Sequence, residues 1–401
     1  MEMWFLRKER GMKVKIIALL CALTMLMGCG NGMGDTEGTG GNNTQDAAGN
    51  NTGNSEECIQ SITSAQLMKE LKIGFNWGNT FDAPWGETTW GNPFTTKEMI
   101  EGIKELGFNT IRIPVSWGKH TSGAPDYIID KAWMERVQTV VDYALDCGLY
   151  VIINSHHDND IYSPSEANRE NAKTYIGAIW KQIAEHFNYA DHHLIFQTMN
   201  EPRVEGTSYE WQIDKNNPDS MKAVEIINEL NQTALDAMRS TGGNNAYRFV
   251  LVSSYAANPN SVLTDKFSLP QDSVKDRLLV SVHSYTPYNL CLNVNSSDTK
   301  FDFWKQIEIE NFLKGVYEKY SKNGIPVIID EMGIIHKNNP EDRYAWAKYF
   351  VSKAKDFGMV CCWWDNGSIN SGEKFALFNR NELKVYPESK RVYEGLMDGL
   401  K

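Results

Sequence analysis

Glu105-Leu-Gly-Phe-Asn-Thr-Ile-Arg-Ile-Pro114 holds the grammar of the whole chain: the end of an amphipathic stretch, a glycine, then a short β-branched run. The phrase recurs as Asp146-Cys-Gly148 before Leu149-Tyr-Val-Ile-Ile153 and as Thr241-Gly-Gly243 before Phe249-Val-Leu-Val252. It returns as Lys322-Asn-Gly324 before Pro326-Val-Ile-Ile329 and as Asp356-Phe-Gly358 before Met359-Val-Cys-Cys-Trp363. A glycine after a helix takes the left-handed cap, and apolar runs without alternation read as strands buried on both faces. Adding Ile73 to Trp77, Leu194 to Thr198 and Leu278 to His283 makes eight candidate strands, which predicts an α/β fold, a single (β/α)8 barrel. Two helix starts carry capping-box patterns, Thr95-Thr-Lys-Glu98 and Thr63-Ser-Ala-Gln66. The segment Ala256 to Lys275 has no long helical period, and a doubly wound open sheet is the competing architecture. No glycine-rich phosphate loop supports it.

Outward from this body the chain changes character. Lys13 and Lys15 precede an apolar run from Ile16 to Met27, the length of a signal-peptide core and too short to span a bilayer of roughly 30 Å. It ends in Leu26-Met-Gly-Cys29, which resembles a bacterial lipobox, so residues 1–28 are expected to be a lipoprotein signal peptide and Cys29 the lipidated residue. Residues 29–57 are rich in Gly, Asn and Thr and predict a flexible tether; residues 58–401 are expected to form one folded domain. The expected location is the outer face of a bacterial membrane or the cell surface, with simple secretion as the alternative. Five cysteines follow Cys29, an odd number without metal-ligand spacing, and buried thiols are expected.

The formal net charge is −11, and −14 without residues 1–28. Such an acidic chain disfavours nucleic acid and anionic lipid as partners. Neutral polysaccharide remains open, and the 12 tryptophans are suited to stacking on sugar rings.

In a (β/α)8 barrel the chemistry sits at the carboxyl ends of the strands. Polar residues collect there: Arg112, then Asn154-Ser-His-His157, Asn200-Glu201, His283-Ser-Tyr285, Asp330-Glu331 and Trp363-Trp-Asp-Asn366. Two glutamates three strands apart on one rim suit glycoside hydrolysis, which needs one carboxylic acid for the leaving oxygen and one carboxylate at the anomeric carbon. Neither metal nor organic cofactor is required.

These motifs resemble glycoside hydrolase family 5, a clan-A cellulase family, and most closely its subfamily 4 of endo-β-1,4-glucanases. The likeness runs from about Leu71 to Gly395 and rests on Gly74-Phe-Asn-Trp-Gly-Asn-Thr80, Trp90-Gly-Asn-Pro93, Gly107 to Trp117, Asn200-Glu-Pro202, His283-Ser-Tyr285 and Trp363-Trp-Asp-Asn-Gly367. It implies a retaining enzyme with Glu201 as acid/base and Glu331 as nucleophile. It also implies Asn200 on the sugar 2-hydroxyl, Arg112 and Tyr285 against the nucleophile, His156 and His283 ordering the sugar and the acid, and Trp364 under the subsite before the cut bond. Asn79, Trp85, Trp90, Trp117, Asp365 and Asn366 are candidates for further sugar contacts. One departure stands out: Asp330-Glu-Met-Gly333 replaces the usual Gly-Glu-Phe/Tyr-Gly, placing an acid beside the nucleophile where it could raise its neighbour's pKa. The expected substrate is a cellulose-like, mixed-linkage or xyloglucan chain, cut by a monomer. A mannanase or xylanase of the same fold, and a non-catalytic glycan-binding surface lipoprotein, are the alternatives.

Overall fold

The computed structural model describes residues 59–401; the expected signal peptide, Cys29, the expected tether and Cys58 lie outside the described residues. Eight parallel strands close on themselves: β1 (Gly74–Trp77), β2 (Thr110–Ile113), β3 (Tyr150–Asn154), β4 (Leu194–Gln197), β5 (Val250–Ser253), β6 (Leu278–Ser284), β7 (Val327–Met332) and β8 (Val360–Asp365). Hydrogen bonds between β8 and β1 complete the ring, which rules out the open sheet. After the entry helix α1 (Ser64–Glu70) come α2 (Lys97–Glu105), α3 (Lys131–Asp146), α4 (Arg169–His186), α5 (Pro218–Ser240), α6 (Phe303–Lys319), α7 (Pro340–Asp356) and α8 (Lys390–Gly399), which form the outer layer. Between β5 and β6 stand only a turn at Tyr255–Ala257 and one helical turn at Pro259–Val262, as the missing helical period predicts.

Strand alternation sorts the side chains into two cores. Ile111, Ile113, Val151, Ile153, Phe196, Val250, Val252 and Val280 face the helices, while Tyr150, Ile152, Ile195, Phe249, Leu251, Leu279, Ile328 and Cys362 fill the barrel. Gly74 faces inward too, and a Cβ there would lie 2.2 Å from Cys362 Sγ, so only glycine lets β1 close against β8.

The amino pole is stoppered by α1. Its cap is the predicted capping box, with Thr63 and Gln66 satisfying each other's backbone donors. Ile62, Leu67 and Leu71 then enter the same cluster as the barrel-filling residues. The Arg277 guanidinium ties this segment down by donating to the Gln60 carbonyl at 3.0 Å. The second predicted capping box does not form. Helix α2 starts one residue later, with Thr96 at the cap position, because the Thr95 hydroxyl instead accepts the buried Trp77 indole N–H at 2.9 Å. Cys147, Cys291, Cys361 and Cys362 are free thiols, the last three buried.

Candidate active site

The same alternation that fills the lower barrel with hydrocarbon brings polar side chains to its carboxyl end. Counting by twos from inward Gly74, Thr110, Ile195 and Leu279 puts Asn76, Arg112, Gln197 and Ser281 inside, one layer above. Arg112 is fully buried and organises this layer. Its Nη1 donates to Asn76 Oδ1 and Glu331 Oε1, each at 2.8 Å, its Nη2 to Asn200 Oδ1 at 2.6 Å and its Nε to Gln197 Oε1 at 2.8 Å. The same Nε lies 3.3 Å from Asp330 Oδ2.

Strand β7 breaks the alternation. Its register slips against both β6, between Ser281 and His283, and β8, between Ile329 and Met332. Successive residues of a regular strand point to opposite faces, yet Asp330 and Glu331 both touch Arg112. Asp330 turns into the barrel, accepting from Ser281 Oγ at 2.7 Å, Gln197 Nε2 at 2.7 Å and the Val282 N–H at 3.1 Å. Glu331 sits at the rim, where its Oε2 accepts the Tyr285 hydroxyl at 2.9 Å.

Past β4 the chain stays beside its neighbours, with the Asn200 N–H donating to the Ser155 carbonyl and the Ser253 hydroxyl to the Met199 carbonyl. This delivers Glu201 to the rim. Its Oε1 lies 2.7 Å from His283 Nδ1 and its Oε2 3.8 Å from Arg203. The other imidazole nitrogen, Nε2, is 3.2 Å from Asp330 Oδ2. Carboxylate oxygens of Glu201 and Glu331 approach within 4.8 Å of each other. That approach accords with retaining glycosidases, with carboxyls about 5–5.5 Å apart, rather than the about 6.5–9.5 Å of inverting ones.

Burial alone would lower the His283 pKa, but Glu331 and Asp330 more than reverse this and push it up to about 10. Burial likewise opposes charge on Asp330 and Glu201, yet His283, with Arg112 and Arg203 respectively, holds both below the ordinary carboxylate range. Glu331 is pushed up, chiefly by burial, with Glu201 and Asp330 adding to it. Asp330 thus acts on its neighbour in the expected direction, after burial and Glu201. Arg112 and His283, with Arg203 beside Glu201, face the three carboxylates, and the two glutamates, being so close, titrate together.

His156 and Trp364 complete the central group, their rings stacked at 5.9 Å and inclined by only 4°. Burial, followed by His157 and Arg112, keeps His156 far below its usual pKa and hence neutral. His157 adjoins His156 at 4.4 Å and Trp90 at 5.6 Å, giving a row of rings along the rim. Trp85 and Trp90 are 72% and 45% exposed and keep free faces.

Three predicted sugar contacts are instead structural. Trp117 is fully buried, its indole N–H donating to the Asn154 carbonyl at 2.8 Å. The buried Asp365 carboxylate accepts the Gly367, Leu377 and Phe378 N–H groups and Arg380, because the segment after β8 folds back over it. The Asn366 side chain donates to the Glu373 carbonyl and accepts from Ser368 N–H, closing the same loop. Asn79 acts through its backbone, donating to Asp82 and accepting from Asn92. Asn76, Gln197 and Ser281 were not singled out from sequence, although counting by twos would have found them. Glu373, whose carboxyl is raised by burial and then by Glu201 and Glu331, lies in a loop and left no such signal.

Asp82, His156 and His157 converge closely enough to hold a cation, as do Asp191, His192 and His193. Both Asp82 oxygens already accept backbone N–H groups, from Asn79 and Thr80.

The family model described as Cellulase (glycosyl hydrolase family 5) matches residues 74–370. Cellulase/esterase CelE of Acetivibrio thermocellus is 40% identical over 393 residues, which cover 96% of this chain and 47% of CelE. The chain thus spans about half the length of that relative. Among solved structures, a glycoside hydrolase 5 lichenase from Caldicellulosiruptor sp. F32, complexed with cellotetraose, is 41% identical with a TM-score of 0.81, covering 85% of this chain and 96% of the other. A GH5-4 broad-specificity endoglucanase from Ruminococcus champanellensis with bound cellotriose is 41% identical with a TM-score of 0.79, covering 84% and 98%.

Proposed function

Because the chain belongs to glycosyl hydrolase family 5, the cellulase family, we propose that it is an endo-acting, retaining β-1,4-glucanase with Glu331 as nucleophile and Glu201 as acid/base. The observation that carries the residue roles is the approach of the two carboxylates within 4.8 Å, with Arg112 and Tyr285 both donating to Glu331. Hydrogen bonds to the charged form favour it, so these donors work against the upward push of burial on Glu331, and the roles assigned need the shared proton on Glu201 when a glucan is bound.

In the first step a Glu331 oxygen bonds to the anomeric carbon as the glycosidic bond breaks, and Glu201 gives its proton to the departing oxygen. The negative charge passes from Glu331, now an ester, to Glu201, and the charge of the cluster is unchanged. In the second step Glu201 takes a proton from water, whose oxygen displaces Glu331 from the anomeric carbon. Asn200, held by Arg112, is assigned to the sugar 2-hydroxyl, and Trp364 with the ring row through Trp90 to stacking. The cello-oligosaccharides bound by the two similar structures support a β-glucan backbone here.

The same proposal includes export of a monomer as a lipoprotein, supported by the basic residues, the apolar run and the Leu26-Met-Gly-Cys29 motif. Loss of incorporated labelled fatty acid in Cys29→Ala tests that part. For the activity, residues 57–401 and the Glu331→Ala variant are assayed for reducing ends released from carboxymethylcellulose, barley β-glucan, xyloglucan, xylan and mannan. Release from the glucans by the parent alone is expected. Action confined to xylan or mannan would overturn the substrate, and no action on any polymer would overturn catalysis.

A further inference from the structure

His283 has a carboxylate oxygen at each ring nitrogen: Glu201 Oε1 at 2.7 Å from Nδ1 and Asp330 Oδ2 at 3.2 Å from Nε2. A neutral imidazole carries one N–H and one lone pair, so it can donate to only one of two ionised carboxylates. Asp330 is the one that cannot give way. Three donors already point at it, from Ser281, Val282 and Gln197, the Arg112 guanidinium stands 3.3 Å away as a counter-charge, and it is wholly buried. Donors and a cation aimed at a carboxylate favour its charged form, so Asp330 is the group held ionised here.

We propose that Asp330 is a positioning residue: anchored by three donors and the charge of Arg112, it holds His283 as a doubly protonated imidazolium aimed at the acid/base Glu201. The proposal rests on the glycosidase reading above and adds a residue to its machinery. Asp330 reaches neither sugar nor water at the rim; it acts through the ring. During the first step Glu201 gains a negative charge when it gives up its proton, and a cation 2.7 Å away meets that charge as it forms. In the second step the same imidazolium keeps Glu201 oriented toward the incoming water.

The groups around His283 come from five elements. Asp330 and Glu331 belong to β7, Glu201 and Arg203 follow β4, Arg112 lies on β2, His156 follows β3 and Cys362 is on β8. Tyr285, two residues after His283 and just past the end of β6, and Glu373 face the same glutamates. Asp330 differs from the two glutamates in having all its acceptor positions committed within the barrel. The strongly raised pKa of His283 is consistent with this arrangement.

The test has two parts. In the intact parent, nitrogen NMR of the His283 ring is followed from pH 5 to 8, where both nitrogens are expected to stay protonated. A ring that titrates in this window, near the ordinary histidine value of about 6.5, overturns the proposal even if no variant folds. In Asp330→Asn, which keeps the side-chain shape, removing the negative charge lowers the pKa of His283 and of both glutamates. Both limbs of the pH profile of kcat/KM on β-glucan should therefore move acidward by about 1 unit or more. A uniform loss of activity with the parent's profile would make Asp330 merely structural and overturn its role. An inactive parent that still shows the doubly protonated ring would instead overturn the glycosidase reading, and with it the catalytic role given to Asp330.

Discussion

Replacing Tyr285 by Phe removes one atom and tests how Glu331 is kept ionised. The nucleophile is divided between two donors: Arg112 serves Oε1 at 2.8 Å and the Tyr285 hydroxyl serves Oε2 at 2.9 Å. Without the hydroxyl the nearest donor to Oε2 is His283 Nδ1 at 3.5 Å, already committed to Glu201. A hydrogen bond to a charged group is worth roughly 1.5–3 kcal/mol. At 1.36 kcal/mol per pKa unit, its loss should raise the Glu331 pKa by about 1–2 units, on top of the upward push of burial. The acid limb of kcat/KM for β-glucan should move up by the same interval. The loss of activity should then deepen about tenfold per unit as pH falls below the new limb. Initial rates of reducing-end release from about pH 3 to pH 8 measure it, with circular dichroism to show that the fold is kept. The ring contact of Tyr285 with Phe375, at 5.4 Å, survives the change and argues for an intact fold. An acid limb at the parent's pH, or one moved downward, would refute the assignment of Tyr285 as a support of the charged nucleophile.

Two further outcomes follow from burial and charge. His283 is raised to about 10 in the folded chain and returns to about 6.5 when unfolded, so its contribution to stability is complete below about pH 6.5 and is lost as pH rises through about 10. The urea midpoint of the parent should fall across that window more steeply than that of His283→Gln, and parallel slopes would count against the protonated imidazole. Trp117→Ala should cost about 3–5 kcal/mol of stability because the ring is fully buried. Trp85→Ala, at a site 72% exposed, should leave the urea midpoint nearly unchanged and raise KM on long glucans; equal midpoints for the two variants would refute the distinction drawn between these rings.

Much of the molecule was readable because buried parallel strands leave a strong signature. The runs at Thr110, Leu149, Leu194 and Leu278 lie within a residue or two of β2, β3, β4 and β6, and the glycines of the repeated phrase take positive φ, +90° at Gly107 and +69° at Gly148 and Gly358. Arg112, Asn200, Glu201, His283, Tyr285 and Glu331 meet as the motifs implied. What escaped was set by events that sequence period does not record. A slip of β7 turns Asp330 and Glu331 to the same side, against the rule of two. The return of the chain after β8 spends Asp365 on backbone donors, and the indole of Trp117 is aimed at Asn154 rather than outward. Each depends on where a distant segment comes to rest.

The stopper at the amino pole has a practical corollary for handling the enzyme. Helix α1 is fastened beneath β6 through Asp276 and Arg277, so the described chain begins at the end of the barrel opposite the glutamates. A tag, bead or fusion partner joined ahead of Ile59 is therefore mounted on the floor of the molecule, with the cleft mouth at the far end. Immobilising it by that terminus should leave access to long, stiff polymers intact, whereas lysine-directed coupling would put Lys119, which lies 5.9 Å from the exposed Trp85 ring, at risk.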